Sequence, residues 1–284
     1  MKNIVIQNQN LQVEISRVGA ELHSVKYLNE QRLWTGDVSV WGGRAPVLFP
    51  VCGTLKDDRY IYNGKSYTLK HHGFARKSLF EITSLSATKA VFKMSSSEET
   101  KVVYPFDFDF FISYELIENS IKVGYKLINR SLSDMWFSIG SHESFLLEGK
   151  LSDYSLIFEK KENFISKAVN KKGLIINEFD DFGQSTNYLS INEQLFKRDT
   201  AVFANLNSRN VSLYYKNVKK VDFAFDAPNL LIWTVLGANY ICIEPWLNLP
   251  DYFDSDGIIE NKPGILFLKN GKSYENYHTV TYYA

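Results

Sequence analysis

Apolar and polar residues alternate along much of this chain, with the period of two that places side chains on opposite faces of a β-strand. The alternation is clearest in residues 106–116 and 121–127, and it returns in 11–15, 211–215, 221–225 and 231–235. Each stretch predicts a strand with one face in a core and the other in water. Glu118-Asn119 separates the two clearest stretches and predicts that they pair as antiparallel neighbours.

Turn signals agree with a β-rich fold. Asn63-Gly64 stands between two short alternating stretches, where Asn-Gly is typical of a two-residue type I′ hairpin. Asn270-Gly271 repeats this signal and predicts a second hairpin between residues 265–268 and 274–282. The sequence therefore predicts antiparallel strands joined by tight turns.

Helical patterns are short, and the best candidates are Ile191–Lys197 and Leu146–Leu151. Residues 160–187 are polar and irregular, which predicts long loops outside the sheets. No Pro/Gly/Ser linker, repeat or low-complexity tract divides the chain. We expect an all-β fold, a large single-domain antiparallel β-sandwich over residues 1–284.

Charge and composition exclude several classes of partner. The 32 lysines and arginines balance the 32 aspartates and glutamates. Nucleic-acid and anionic membrane surfaces usually show a basic excess, so we expect neither partner. The apolar run at the N-terminus is too short for a signal peptide. No stretch approaches the ~18 consecutive apolar residues that a membrane helix needs. We expect a cytoplasmic protein, and a homodimer is compatible with the sequence.

The stretch 239–246 combines a buried strand with a carboxylate. A strand over Tyr240–Glu244 places Ile241 and Ile243 on one face and Cys242 with Glu244 on the other. Pro245 is expected to end the ladder, because proline has no N–H to donate. A carboxylate beside Trp246 is either half of a structural ion pair or a tuned base, and the stretch alone leaves both open.

Two histidines and two arginines lie beside glycines near strand ends. They are His72 and His142, with Arg44 and Arg76. Arginine can bind a carboxylate or phosphate through two parallel hydrogen bonds, although a surface ion pair is an equal reading for each. On a strand, His71 and His72 would point to opposite sides.

Metal and nucleophile motifs are missing from the sequence. No two histidines have the helical spacing of a metalloprotease, and Cys52 and Cys242 lack the spacing of a metal or redox motif. We expect no metal site and two buried, unpaired thiols. Phosphate-binding glycine loops are also absent. Trp246, like Trp34 and Trp41, can stack on the apolar face of a sugar.

The ordered set of short motifs resembles the aldose 1-epimerase (mutarotase) superfamily nearly end to end. These motifs are Val18-Gly-Ala-Glu-Leu22, Leu33-Trp-Thr-Gly-Asp37, Arg44-Ala-Pro-Val-Leu-Phe-Pro-Val-Cys-Gly53, His72-Gly-Phe-Ala-Arg76, His142-Glu-Ser-Phe145 and Ile243-Glu-Pro-Trp246. The resemblance implies the galactose mutarotase-like supersandwich, with an active site in a cleft on one sheet.

The resemblance also implies roles for five residues. Glu244 matches the family's general base and His142 its general acid, while His72 and Arg44 match substrate-binding residues. Asp199 is the best match for a sugar-binding aspartate. Such an enzyme removes a proton from the anomeric hydroxyl, delivers one to the ring oxygen, and requires no metal or organic cofactor. We therefore expect His142 to carry a proton and to face Glu244 across the sugar without touching it.

Departures from the family pattern bear on the substrate. Gly-Phe-Ala-Arg after His72 and Pro-Trp after Glu244 resemble the hexose-6-phosphate epimerase branch. Arg44 with Arg76 could grip a sugar phosphate, or Arg76 could pair with an acidic residue of the protein. Glu143, directly after His142, leaves the local charge open. The resemblance implies a 1-epimerase of a hexose or hexose 6-phosphate, and a non-catalytic sugar-binding protein is the alternative. Glycoside hydrolysis needs a second placed carboxylate, which disfavours it.

Overall fold

The computed structural model describes residues 2–284 and consists mainly of antiparallel strands. In chain order the strands are β1 (Ile4–Gln7), β2 (Leu11–Ile15), β3 (Leu22–Tyr27), β4 (Glu30–Gln31), β5 (Arg59–Tyr62), β6 (Lys65–Thr68), β7 (Glu81–Leu85), β8 (Lys89–Ser95), β9 (Phe108–Ile117), β10 (Ser120–Asn129), β11 (Met135–Phe137), β12 (Glu143–Leu146), β13 (Tyr154–Glu162), β14 (Ile165–Val169), β15 (Ile175–Asp181), β16 (Thr186–Ser190), β17 (Thr200–Phe203), β18 (Asn210–Tyr215), β19 (Val218–Phe225), β20 (Asn229–Trp233), β21 (Tyr240–Trp246), β22 (Leu266–Leu268) and β23 (Ser273–Tyr282). The helical segments are α1 (Glu98–Val103) and the 3₁₀ turns Lys56–Asp58, Ala75–Lys77, Leu151–Asp153, Glu193–Phe196 and Ile259–Asn261.

Two large sheets form the sandwich. The nine-stranded sheet has the order β16-β13-β18-β19-β23-β10-β9-β8-β7, and the six-stranded sheet has the order β12-β21-β20-β17-β14-β15. Their inner faces meet in one extensive apolar core, where Phe145 of β12 and Phe223 of β19 have ring centroids 5.9 Å apart. The sheet β1-β2-β3-β4 continues from the edge of β12 through a bridge between Leu33 and Phe145. The predicted all-β sandwich is confirmed.

The clearest alternating stretches form the centre of the nine-stranded sheet. β9 and β10 pair from Ile117↔Ser120 to Phe108↔Asn129 around the predicted turn, where Glu118 has a φ of +52°. Alternate side chains of both strands are buried, as the period of two requires. The Asn63-Gly64 hairpin is also confirmed, because β5 and β6 pair around it and both turn residues have positive φ.

Other predictions of local structure were wrong. β22 pairs with β11, whereas β23 joins β10 and β19, so the strands flanking Asn270-Gly271 do not form a hairpin. Residues 160–187 hold strands, since β14 and the largely exposed β15 pair there at the edge of the six-stranded sheet. Leu146–Leu151 is not helical, because Leu146 ends β12. The helix predicted over Ile191–Lys197 is a 3₁₀ turn, and α1 was not predicted.

The strand β21 is buried along its whole length between β12 and β20. As predicted, Ile241 and Ile243 lie in the core between the two sheets, and Glu244 lies on the opposite face. Pro245 does not end the ladder, since it pairs with Leu230. Its missing N–H points toward β12, beyond the end of that strand, where the carbonyl of Pro245 accepts from the amide of Ser141 at 3.2 Å.

Across the described residues, no helix has the length and apolar character needed to cross a membrane.

Candidate active site

A cavity of about 310 Å³ opens on the face of the six-stranded sheet that points away from the core. It brings together six of the seven site residues expected from the sequence, namely His72, Arg76, His142, Asp199, Glu244 and Trp246. They come from β21, from the segments before β12 and β17, and from the loop after β6. The cavity therefore joins distant parts of the chain around two carboxyl groups and three imidazoles.

Glu244 and His142 are in direct contact at the bottom of this cavity. Oε2 of Glu244 lies 3.3 Å from Nε2 of His142, and both side chains are almost completely buried. The prediction that the two groups face each other across a bound sugar without touching stays a prediction, and in this structure they are in contact. The contact arises because Glu244 leaves β21 on the cavity side while His142 stands just before the neighbouring strand β12.

Burial controls the protonation of this pair. It raises the pKa of Glu244 well above its ordinary value, and the negative charges of Glu143 and Asp199 act in the same direction. Burial lowers the pKa of His142 to about 3. Both shifts favour an uncharged pair, with a proton on the carboxyl group, over a carboxylate facing an imidazolium. This differs from the protonated His142 expected from the sequence.

His72 occupies a strained turn beside the pair. Its φ is +64°, and its Nδ1 accepts a hydrogen bond of 3.0 Å from the amide of Gly53. The ring lies edge-on to Trp246, with centroids 5.3 Å apart. His71 and His72 are not on a strand, and their ring centroids are 3.6 Å apart, so the expectation that they face opposite sides is wrong. Gly73 is required here because a Cβ would lie 2.3 Å from the carbonyl oxygen of Phe49.

Two further tryptophans line the cavity. The ring of Trp41 stacks on His142 with centroids 5.0 Å apart, and Gly43 leaves room for that ring. The indole N–H of Trp233 donates to Oδ1 of Asp199 at 3.2 Å. The sequence pattern identified Trp233 only as a strand residue. Its position at the last residue of β20, on the face shared with Glu244, is what places it in the cavity.

The two arginines have different surroundings. Arg76 lines the cavity, and its Nη2 donates to the carbonyl of His71 at 3.2 Å. Among residues 2–284 no carboxylate lies within ion-pair distance of Arg76. Arg44 is not among the lining residues, because its guanidinium packs where a side chain on Gly36 would be. Its predicted contact with substrate stays a prediction.

Ligand atoms of His142, Cys242 and Glu244 lie within 4.8 Å of one another. These residue types can bind zinc. However, Cys242 is fully buried, and burial raises the pKa of its thiol well above the ordinary value, so the sulfur keeps its proton. Cys52 and Cys242 are both buried free thiols, as expected.

A larger cavity of about 540 Å³ lies between residues 149–152, 192–194 and 234–238. Its ionisable side chains are Lys150 and Glu193, and it contains no histidine. Chemistry therefore favours the smaller cavity, where a carboxyl group and an imidazole are in contact.

Comparison with known proteins identifies the family of this chain. A family model described as aldose 1-epimerase matches residues 2–277. Protein LacX (plasmid) of Lactococcus lactis subsp. lactis is 31% identical over 279 residues, covering 92% of this chain and 93% of LacX. A galactose mutarotase related enzyme from Lactobacillus acidophilus has a TM-score of 0.92 and 32% identity, covering 99% of this chain and 97% of its own. A galactose mutarotase-like protein from Lactobacillus casei has a TM-score of 0.92 and 26% identity, with 99% and 100% covered. Since the family model spans almost all of its length, the chain belongs to the aldose 1-epimerase family.

Proposed function

We propose that the protein is an aldose 1-epimerase that interconverts the α and β anomers of a hexose, with hexose 6-phosphates as preferred substrates. The observation that carries this proposal is the buried contact between Glu244 and His142 at the bottom of an open cavity. Opening a cyclic aldose requires one group to take the proton of the anomeric hydroxyl and another to protonate the ring oxygen. A carboxyl group and an imidazole that share one proton supply both.

The shared proton also suggests how the pair becomes reactive. Transfer of the proton from Glu244 to Nε2 of His142 produces a carboxylate and an imidazolium. Sugar hydroxyls that hydrogen-bond to these groups favour the charged form. Glu244 then accepts the anomeric proton, His142 donates to the ring oxygen, and the bond between the ring oxygen and C1 breaks.

Ring opening returns the pair to its starting protonation, with the proton on Glu244 and His142 neutral. Rotation about the C1–C2 bond turns the other face of the carbonyl toward the ring-closing hydroxyl. The same two transfers in reverse then close the ring as the other anomer. The cycle is balanced in protons and requires only these two side chains as acid and base.

Arg76 supports the preference for a phosphorylated sugar. Its guanidinium lies at the cavity, without a carboxylate in ion-pair range among residues 2–284, and its buried Nε has no hydrogen-bond partner. A phosphate would satisfy these donors through charge-assisted hydrogen bonds. Asp199 and Trp233 supply an acceptor and an aromatic face for the sugar ring.

A non-catalytic sugar-binding protein is the alternative function. In the sequence, Glu143 next to His142 and the loosely matched sugar-binding aspartate left room for it. The Glu143 side chain belongs to the core side of β12, since Glu143 pairs with Ile243. It does not line the cavity, so the local objection to acid–base chemistry is weaker.

Two-dimensional exchange NMR on the anomers of glucose, galactose and glucose 6-phosphate tests the proposal. We expect the wild type to accelerate exchange, and Glu244→Gln and His142→Asn to abolish the acceleration. Glu193→Gln, at the other cavity, is the control and should match the wild type. Ligand-induced stabilisation without faster exchange would instead identify a sugar-binding protein.

A further inference from the structure

Glu143 and His278 form a buried contact behind the active site. Glu143 begins β12, in the six-stranded sheet, and His278 lies in β23 of the nine-stranded sheet. Oε1 of Glu143 is 2.9 Å from Nε2 of His278, and the two residues are 4% and 3% exposed. Two ionisable groups therefore meet inside the apolar core that joins the sheets.

The surroundings of this pair are poor in hydrogen-bond partners. Oε2 of Glu143 is buried and has no hydrogen-bond partner, and the 2.9 Å contact between Glu143 and His278 is not aligned as a hydrogen bond. Tyr125, Ser141 and His278 also line a small cavity of about 10 Å³, which is room for about one water molecule. Burying a carboxylate in such surroundings is costly, and apolar residues of similar volume often give equal or greater stability.

The place of Glu143 in the sheet points to a role other than stability. Glu143 pairs with Ile243, and Glu244 is the next residue of β21, on the opposite face of the same sheet. The two carboxyl groups are thus separated by one layer of backbone. In a buried site of this kind, electrostatic interactions are weakly screened.

We propose that Glu143 is a positioning residue that acts through the sheet on Glu244, and that His278 holds Glu143 in place from the opposite sheet. This inference rests on the proposed epimerase function. The charge of Glu143 raises the pKa of Glu244, in addition to the effect of burial. A carboxyl group with a raised pKa is more often protonated, and it can activate His142 by transferring that proton to it.

Several other titratable groups surround the carboxyl groups of Glu143 and Glu244. Glu143 interacts electrostatically with Tyr114, Tyr125, Cys242, His278 and Tyr282, which lie on β9, β10, β21 and β23. Glu244 interacts with His142, Asp199, Tyr240, Cys52 and Cys242. Burial raises the pKa of each of these tyrosines and thiols, so they keep their protons up to about pH 9.

The test is the pH dependence of kcat/KM for anomer exchange in Glu143→Gln. On its alkaline side this profile reports loss of the proton shared by Glu244 and His142. Removal of the nearby negative charge should move that limb to lower pH by at least 0.5 unit. Glu143→Asp keeps the charge and should shift the limb less than Glu143→Gln does. Glu162→Gln removes a buried glutamate that is hydrogen-bonded to Ser208, and should leave the limb in place.

An unchanged limb in Glu143→Gln, or an equal shift in Glu162→Gln, overturns the inference. If Glu143→Gln does not fold, His278→Gln perturbs the same contact from the other sheet. A shift of the alkaline limb of the kcat/KM profile in His278→Gln, in either direction, then supports the inference. An unchanged alkaline limb overturns it.

Titration of the Glu244 carboxyl carbon by ¹³C NMR separates this inference from the proposed function. The resonance is assigned by its loss in Glu244→Gln, and its midpoint should fall by at least 0.5 unit in Glu143→Gln. This measurement requires no substrate. Absence of epimerase activity on every sugar would therefore refute the proposed function, while the titration would still decide whether Glu143 acts on Glu244.

Discussion

The carboxyl group of Glu244 and the imidazole of His142 touch, with Oε2 and Nε2 3.3 Å apart. Two titratable groups this close are coupled, so the pKa values seen in a titration belong to the pair. A sugar entering the cavity must therefore compete with a contact within the protein. The two side chains should behave as one unit in mutagenesis and in pH dependence.

Combined substitution tests whether the pair is one catalytic unit. Glu244→Gln and His142→Asn should each reduce kcat/KM by about 10²–10⁴, the usual contribution of general acid–base catalysis. The kcat/KM of the double variant should fall no further than that of the less active single variant. Either substitution alone already prevents proton transfer between the two groups. Exchange NMR, with protein added up to nearly saturating amounts, measures kcat/KM for the two single variants and the double variant. Multiplication of the two losses would show that the groups act independently.

The pH profile of kcat/KM for the wild type should be broader than a glutamate and a histidine with ordinary pKa values would give. Free glutamate and histidine, with pKa values of about 4.3 and 6.5, would allow a one-proton window of roughly two pH units. Here burial lowers the pKa of His142 to about 3 and raises that of Glu244, so the one-proton form persists over a wider range. Measurement of kcat/KM wherever circular dichroism shows a folded protein checks this. A bell confined between pH 4.3 and 6.5 would contradict it.

Local pattern was sufficient to predict some elements of this fold and not others. β9 and β10 are adjacent in sequence and in the sheet, so their alternation and the turn at Glu118 determine the pairing. The sequence also predicted a hairpin from β22 and the turn at Asn270-Gly271. However, β22 pairs with β11, which lies more than 100 residues earlier in the chain. A turn signal carries no information about such a distant competitor.

The positions of site residues were predictable where the alternation along a strand determines which face of the sheet a side chain lies on. Glu244 was placed correctly because its face follows from the alternation in β21. The direction of Arg44 was not predictable, since it depends on the loop around Gly36. The contact between Glu244 and His142 depends on the distance between β21 and the segment before β12. Sequence spacing contains no trace of that distance.

Replacement of Arg76 tests recognition of a phosphate. Hydrogen bonds to charged groups contribute about 1.5–3 kcal/mol, so Arg76→Gln should raise KM for glucose 6-phosphate by roughly 10-fold to 100-fold. KM for free glucose should change by less than about threefold. Arg130→Gln is the matched control, because Arg130 pairs with Asp109 and does not line the cavity, and it should leave the ratio of the two KM values unchanged. Equal effects of Arg76→Gln on both sugars would show that Arg76 does not bind phosphate.

The stability of the fold should decrease as pH falls below about 6.5, in part because of His72. Burial lowers the pKa of His72 well below its ordinary value, so in this range the unfolded chain binds a proton that the folded protein excludes. One such site contributes a slope of about 1.4 kcal/mol per pH unit. The penalty is absent above pH 6.5, where His72 is neutral in both states.

His72→Asn isolates this contribution, because asparagine accepts a positive φ and its Oδ1 can still accept from the amide of Gly53. Urea unfolding between pH 4.5 and 7.5 should give a free energy of unfolding that depends less on pH in the variant than in the wild type, by up to about 1.4 kcal/mol per unit. The two proteins should differ least in slope above pH 6.5. Identical slopes at lower pH would mean that His72 is protonated in the folded state, and that its hydrogen bond with Gly53 does not persist in solution.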